Sequence, residues 1–400
     1  MNRRDLETQL LAKILEVIPI IKKNNDLKNL YEAIFSSLRG KNLVVAMDYY
    51  EKEKLDAPAK YLLGLKEINE KYSEIYIENI FLDCYNEILS NEKGVNDCVK
   101  EVVNKLISNI DEEYLVISEL ENIELIDDQE YELIDSVIKT FKKEDIPFDL
   151  ATLGLPATGI LNKPVIITKV KAKEIEKAKE IALHRFMVSL NLIRLYIPSF
   201  KPSIKGSLHS GIQSLITYCK TDKSLSADMK RLGDSPIDKA KISSELYKRM
   251  LDSGIGELRI ENSISRVVKD CLYWYGSGLD ESYPAARLID FVTILESALK
   301  KKGEMTELKR AVSERGAILL NDKFEDRKAA FDYLIQIYKL RSKVIHTGAY
   351  IDDKDLISKA GGYARAILLT LIEKSIEMNG NFDDFINYVD DIKLGKDINA

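Results

Sequence analysis

Residues 325–348, EDRKAAFDYLIQIYKLRSKVIHTG, are the stretch on which the fold prediction rests. Apolar side chains recur in it at intervals of three, four and seven residues, which is the spacing of one face of an α-helix. They are Phe331, Leu334, Ile335, Tyr338 and Ile345. Thr347-Gly348 supplies a stop, because glycine readily adopts the left-handed conformation that ends helices. The sequence therefore predicts a long helix from about 325 to 345, with an apolar stripe facing a core.

Segments of the same kind lie on both sides of this helix. The predicted helices span about 262–275, 284–301, 306–320 and 353–378. Gly276 is interpreted as the stop of the first, and Pro284 suits the first position of the second, where its missing N–H costs nothing. Short loops favour antiparallel neighbours, so we expect residues 262–395 to form an all-α bundle.

The part of the chain before this bundle divides into two regions with different predicted secondary structure. Residues 1–110 are predicted to be mainly helical, and residues 111–250 to form a small α/β domain and a linker. The predicted helices cover about 1–23, 27–38, 61–89, 99–110, 172–196 and 211–219, and the predicted strands cover about 114–118, 123–125, 131–134 and 164–170. The fold class is therefore mainly α, with a small α/β segment before the C-terminal bundle.

Composition restricts the classes of function. The chain is 45% hydrophobic and 31% charged, as in globular proteins, and its formal net charge is -6. An acidic protein is not coated by nucleic acid over its whole surface, so any RNA contact must be local. No stretch approaches the ~20 apolar residues of a membrane span, which predicts no membrane association.

The start of the chain and the cysteines indicate a cytoplasmic protein. Residues 1–23 have a basic beginning, but charged residues interrupt the apolar ones, so we predict a helix that packs on its own domain rather than a signal peptide. The four cysteines, Cys84, Cys98, Cys219 and Cys271, match neither a zinc site nor a disulfide framework, and we expect reduced, buried thiols.

Four polar residues stand on or beside the apolar stripes of the bundle. Glu296 falls inside the stripe of the second helix and Arg315 near the centre of the third, whereas Arg341 borders one edge of the fourth stripe and His346 the other. A charge facing a core is costly unless it is paired or lines a cleft. Glu296 could pair with Arg315 or with Arg341 in a purely structural role, and this alternative stays open.

Arginine and histidine are also the residues that cleave RNA without a metal. A histidine can move the proton of the 2′-hydroxyl or of the leaving group near neutral pH. An arginine can stabilise the charged pentacoordinate phosphate. No P-loop and no metal-ligand spacing occurs in the sequence, so we expect no cofactor.

The segment Arg341-Ser-Lys-Val-Ile-His346 fits the R-x4-6-H motif of HEPN domains, including Ser342 as the polar residue after the arginine. Three blocks, residues 288–296 with Glu296, 312–317 with Arg315, and 338–348, together resemble the Apea-like HEPN group over 262–395.

The resemblance implies a helical bundle that dimerises, so that two motifs build one composite site for metal-independent RNA cleavage. It implies Arg341 and His346 as catalytic residues, supported by Glu296, Arg315 and Ser342, and a role in phage defence or as a toxin. In this interpretation residues 1–250 regulate the ribonuclease or recruit a regulatory partner. The alternative is a non-catalytic module that binds RNA, nucleotide or protein.

Geometry and local charge bear on the RNA hypothesis. Arg341 and His346 are about 140° apart on an ideal helix, so they can share a phosphate only if the helix end distorts or a second copy contributes. From 300 to 343 there are 12 Lys or Arg against 7 Asp or Glu. Lys309, Arg310 and Lys343 are therefore candidate phosphate contacts, with an ordinary solvated helix face as the alternative.

Overall fold

The computed structural model describes residues 2–23, 49–108, 110–145, 160–198, 203–204, 215–222, 224–228, 240–304, 307–348, 350–351 and 353–395. Within these ranges the protein is mostly helical, with thirteen α-helices and a small sheet. The chain divides into two compact units: one comprises Met1–Val116, Lys169–Ala182 and Thr217–Ser226, the other Ile117–Thr168, Leu183–Ile216 and Ala227–Ala400. None of the helices in the described ranges has the length and apolarity that a membrane span requires.

Helices form most of the first unit. They are α1 (Arg3–Lys23), α2 (Tyr49–Leu63), α3 (Lys66–Asn69), α4 (Glu74–Leu89) and α5 (Val95–Ser108). The prediction for α1 is confirmed, because it buries one apolar stripe in the core of its own unit: Leu6, Leu10, Ile14, Val17 and Ile21. The helix predicted over 27–38 lies outside the described residues.

A single helix over 61–89 is a wrong prediction. The chain breaks between α2 and α4, and Ser73 caps the start of α4 by accepting the N–H of Tyr76. The Tyr72 hydroxyl donates to the carbonyl of Leu106 at 2.7 Å, which fixes the chain at this break. Apolar periodicity continues across the break because both helices face the same core, so the pattern alone does not locate it.

The sheet has seven strands: β1 (Glu112–Glu121), β3 (Tyr131–Glu132), β4 (Val137–Thr140), β5 (Pro164–Ala172), β6 (Ser203–Ile204), β7 (Leu215–Cys219) and β8 (Leu225–Asp228). Six of them follow the order β3-β4-β5-β1-β7-β8, and β6 pairs with β1. The pairs β3–β4, β4–β5 and β1–β6 are antiparallel. A separate parallel pair joins β2 (Ile123–Leu125) to β9 (Ala240–Ile242).

All four predicted strands are present, but the helix predicted over 211–219 is contradicted. Leu215–Cys219 is the strand β7, whose five residues are all buried between β1 and β8. A strand covered on both faces shows no alternation of apolar and polar residues, so its sequence does not distinguish it from a buried helix. Strands β4, β6, β8 and β9 were not predicted.

Six helices form the C-terminal bundle, preceded by α6 (Ile175–Tyr196) and α7 (Ser244–Asp252). They are α8 (Ser263–Asp280), α9 (Pro284–Leu299), α10 (Leu308–Leu320), α11 (Phe324–Thr347), α12 (Lys354–Glu377) and α13 (Phe382–Lys393). Helix α9 packs against α8, α11 and α12, and α10 packs against α11 and α13. The five predicted bundle helices are present and Pro284 begins α9 as expected, whereas α7 and α13 were not predicted.

Close packing holds α10 against its neighbours. A Cβ added at Gly316 would lie 3.0 Å from Leu334 Cδ1 on α11, and it would also contact Leu299 and Ile367. The glycine thus lets three other helices approach α10 in one layer of the core.

Gly276 does not stop α8, as the sequence suggested, but lies inside it. A Cβ at this position would come within 2.0 Å of Asn191 Nδ2, so the glycine permits α6 to approach α8. Two further interactions fix the same end of α6: Arg194 forms a two-pronged pair with Asp280, both distances 2.8 Å, and Arg365 donates to the Leu195 carbonyl. The C-terminal half of α6 is therefore packed as part of the bundle.

Substituting Gly276 tests this packing. Gly276→Ala should lower the free energy of unfolding by about 1–3 kcal/mol, because the buried Asn191 must move to admit a methyl group. Gly362→Ala, in the interior of α12 with no atom near the added Cβ, should instead raise it by roughly 0.5–1 kcal/mol. Guanidinium unfolding followed by circular dichroism measures both; equal effects of the two substitutions would contradict the close approach of α6.

Candidate functional site

The face of α11 that the bundle buries differs from the predicted apolar stripe by a rotation about the helix axis. The residues that α11 buries are Ala330, Tyr333, Leu334, Ile337 and Tyr338. At 100° per residue, the middle of this face lies about 10–15° from Arg341 and about 150° from His346. The prediction that both residues border the stripe is therefore wrong: Arg341 extends the centre of the buried face, and His346 lies on the solvent side.

Arg341 reaches the end of the core and meets Glu296. Its Nη2 lies 3.7 Å from Glu296 Oε2, and 31% of its side chain is exposed. Of the two pairings that the sequence left open for Glu296, the structure forms the one with Arg341. The Nε atom of Arg341 is buried and has no hydrogen-bond partner among the described residues. A loose pair of this kind contributes less than about 1 kcal/mol to stability.

Tyr338 adds a third polar group to this place. It lies one turn before Arg341, is only 5% exposed, and its hydroxyl has no hydrogen-bond partner in the described part of the chain. Burial raises the pKa of Tyr338 well above its ordinary value, the Glu296 carboxylate raises it further, and Arg341 opposes the shift. From the helical period, Tyr338 was predicted as an apolar residue of the stripe and not as a polar group of the site.

Two buried donors, the Tyr338 O–H and the Arg341 Nε–H, therefore lie one helical turn apart beside a carboxylate. Leaving such donors without an acceptor costs about 1–3 kcal/mol each. Binding or catalysis is among the reasons for which proteins keep them. The donor set suits an anionic oxygen, because both groups donate and Arg341 is positively charged.

His346 lies in the last turn of α11, exposed to solvent. The helix remains regular through Thr347 and ends at Gly348, which has a φ of 62° and donates its N–H to Val344. No distortion brings His346 towards Arg341, so the two stay about 140° apart around the helix and about 7.5 Å apart along it. Ser342 is exposed on the arc between them.

Arg315 is placed elsewhere, at the junction of α9, α10 and α13. Its buried guanidinium donates to the Leu299 carbonyl at 2.9 Å, to Glu304 at 2.7 Å and to Asp390 at 2.8 Å. Burial alone would lower the pKa of Arg315, but the hydrogen bonds to Asp390 and Glu304 raise it above its usual value. These contacts make Arg315 a structural clamp on three helices.

The remaining predicted residues are all exposed. Arg310 forms an ion pair with Glu314 one turn later, at 2.7 Å, and Lys309 precedes it at the start of α10. Lys343 lies on the solvent side of α11, one turn before His346. The structure thus groups Glu296, Tyr338 and Arg341 on one side of α11, and Lys343 and His346 on another.

The described residues contain one group that could ligate a metal ion. Glu112, Cys219 and Asp222 have donor atoms within 4.8 Å of one another, and the Cys219 thiol donates to Glu112 at 2.8 Å. Burial raises the pKa of Cys219, which favours the thiol over the thiolate that binds metals. All three residues belong to the first unit, and none of them was predicted as a site residue.

Stability measurements separate the two inward arginines. Arg315→Met should lower the free energy of unfolding by about 2 kcal/mol, because Glu304 and Asp390 lose their shared partner. The expected loss is smaller than for a fully buried ion pair, since both carboxylates are partly exposed. Arg341→Met should cost less than about 1 kcal/mol. Chemical unfolding of the two variants measures the difference, and a larger loss for Arg341→Met would make that residue structural.

Comparison with known proteins supplies no counterpart for the residues or geometry of this site. No protein-family model, curated protein or solved structure matches the chain.

Proposed function

We propose that the C-terminal bundle is a HEPN-type domain that cleaves RNA without a metal, with Arg341 and His346 as its catalytic residues. The observation that carries this proposal is the position of both residues in the last two turns of α11. Arg341, whose Nε–H is unsatisfied, lies beside Glu296 and one turn after the unsatisfied hydroxyl of Tyr338, whereas His346 is exposed on the surface. The resemblance of 262–395 to the Apea-like HEPN group supports it.

The chemistry follows from these groups. The 2′-oxygen attacks the phosphorus as its proton leaves, the bond to the 5′-oxygen breaks, and that oxygen takes up a proton. His346, with solvent access, is the group that can move either proton near neutral pH. The Arg341 guanidinium can bind the phosphate oxygens as their charge grows, since it is a cation with several N–H donors.

One copy of the chain does not bring these groups together. Because α11 is regular between them, Arg341 and His346 of one chain point in directions about 140° apart. A twofold partner that presents the same helix places the arginine of one copy near the histidine of the other. The active form in this proposal is therefore a homodimer with a composite site.

The end of α11 offers a surface for that partner. The face that the bundle buries as far as Tyr338 continues uncovered, with Arg341 31% and Ile345 47% exposed. An exposed isoleucine in line with a core stripe is suited to burial against an identical face. Tyr338 belongs to the core, whereas Ile345 is available for this interface.

Glu296 and Ser342 take supporting roles in this scheme. Glu296 restrains the Arg341 guanidinium from the side of α9, and Ser342 supplies a hydroxyl between the two catalytic positions. Arg315 acts only through the fold. Residues 1–250 then regulate the ribonuclease in a cytoplasmic toxin or defence system, either alone or with a partner protein.

A non-catalytic binding module is the second candidate. The central position of Arg341 on the buried face and its contact with Glu296 favour a structural ion pair, which requires no chemistry. In that case the bundle binds RNA, nucleotide or protein without cleaving it.

Substitution of the two catalytic residues distinguishes these functions. Arg341→Ala and His346→Ala should each abolish cleavage of RNA by the full chain, with loss of at least 100-fold in rate on the scale typical of acid–base and electrostatic groups. Arg266→Ala, which removes an exposed cation of α8 that belongs to no predicted site, is the matched control and should retain activity. Cleavage by folded His346→Ala protein at the normal rate would refute the assignment.

Mixed dimers test the composite site. Arg341→Ala chains and His346→Ala chains, inactive separately, should regain partial activity when mixed, because each mixed dimer contains one intact arginine–histidine combination across the interface. Ile345→Glu should weaken the dimer and reduce cleavage together. An active monomer in light scattering at the assay concentration contradicts this geometry.

Chelation tests the chemistry independently. Cleavage should proceed unchanged in EDTA, because neither His346 nor Arg341 needs a metal to act. If EDTA stops cleavage and a divalent ion restores it, then Glu112, Cys219 and Asp222 become the first residues to substitute.

A further inference from the structure

A shallow cleft of about 370 Å³ lies beside α11, on its solvent side. Helix α11 contributes Gln336, Lys339 and Lys343 to its lining, and the connection to α12 contributes Tyr350 and Asp353. The cleft therefore lies away from the Glu296–Arg341 pair, on the side of α11 that carries His346.

Lys339 and Lys343 outnumber Asp353, the one carboxylate among the residues that line the cleft, and give the lining a net positive charge. Both side chains are exposed, and neither Lys339 nor Lys343 forms an ion pair with any described residue. The carboxylate of Asp353 keeps its charge but is held at the start of α12, where it accepts the N–H of Leu356 at 2.9 Å, and it pairs with neither lysine. Two uncommitted ammonium groups one helical turn apart suit successive phosphates of a nucleic-acid backbone.

Tyr350 supplies a different kind of contact. It is 79% exposed, and its ring stacks on no other described aromatic group. A large aromatic side chain held in solvent beside lysines is the combination that single-stranded nucleic acids use, since every base can stack on it.

His346 lies beyond the cleft, on the face of α11 that carries both lysines. Lys339, Lys343 and His346 are spaced by four and three residues, so they follow one another along the same face of α11. A polyanion that contacts both lysines therefore extends to the imidazole.

We propose that this cleft binds a single-stranded stretch of RNA next to the bond that is cut, with Lys339 and Lys343 on the phosphates and Tyr350 stacked on a base. The inference rests on the proposed function, for which it defines the substrate class. A duplex keeps its bases stacked inside and offers none to Tyr350, so the cleft selects unpaired RNA.

Binding is measured on the full chain carrying His346→Ala, so that the probe stays intact. The probe is a short fluorescein-labelled oligouridine, followed by fluorescence anisotropy over a range of salt concentrations. Lys339→Glu with Lys343→Glu should weaken binding at least tenfold and lower the slope of log affinity against log salt by about 1.4, the value for two phosphates of a single strand. Tyr350→Leu should weaken binding about tenfold without changing that slope.

Two control variants make the same chemical changes elsewhere on the unit. Lys323→Glu with Lys328→Glu reverses two exposed lysines at the start of α11, the nearer of them about 22 Å from Lys343 along the helix. Tyr283→Leu alters a tyrosine that is 72% exposed. Both should bind the probe like the His346→Ala parent, and circular dichroism confirms that all the variants are folded.

Three results of the binding measurements would overturn the proposal. In the first, the cleft variants bind the probe as tightly as the controls. In the second, a duplex RNA of equal length binds as tightly as the single strand. In the third, polyglutamate displaces the probe at equal charge concentration, which would indicate an acidic protein partner. Failure of the proposed function gives a different pattern: the cleft variants lose binding, yet the chain with His346 intact cleaves no RNA. If the cleft variants cleave RNA at the normal rate and His346→Ala abolishes this cleavage, the cleft proposal fails while the proposed function stands.

Discussion

A guanidinium at the centre of an apolar helix face is the constraint on which the end of this bundle depends. The face that α11 buries through Tyr338 would bury residue 341 next, and a charge there cannot enter the core without a large desolvation cost. The bundle accommodates Arg341 by ending at that level, with Glu296 within 3.7 Å and a third of the side chain in solvent. Ile345, one turn further, is consequently left half exposed although it continues the same face.

Much of the bundle was predictable because its helices have regular periods and clear ends. The start of α9 at Pro284 and the end of α11 at Gly348 follow from single residues with specific backbone preferences. The orientation of α11 was not predictable in the same way. Tyr333 faces the core because its hydroxyl donates to Leu356 and its ring stacks on Tyr363, and both partners are distant in sequence.

The candidate site was predictable in its residues and less so in its geometry. The resemblance selected Arg341, His346, Glu296 and Arg315, and the helix period placed two of these on inward faces. It did not indicate that Arg315 pairs with Asp390, which lies 75 residues away on a helix that was not predicted. Gly276 failed as a stop signal for a similar reason: a glycine ends a helix or admits a neighbour, and only the presence of Asn191 on α6 decides which.

The tight layer around Gly316 limits the ways in which such a site can be controlled. With Leu334, Leu299 and Ile367 all within contact distance of one missing side chain, α11 cannot turn about its axis without forcing apart three other helices. The angular relation between Arg341 and Glu296 is thereby locked by close packing rather than by their own weak attraction. An off state built by twisting α11 would have to break this layer at the cost of core stability. Control is mechanically easier by blocking access to His346 or by keeping two copies apart, which leaves the interior of each bundle unchanged.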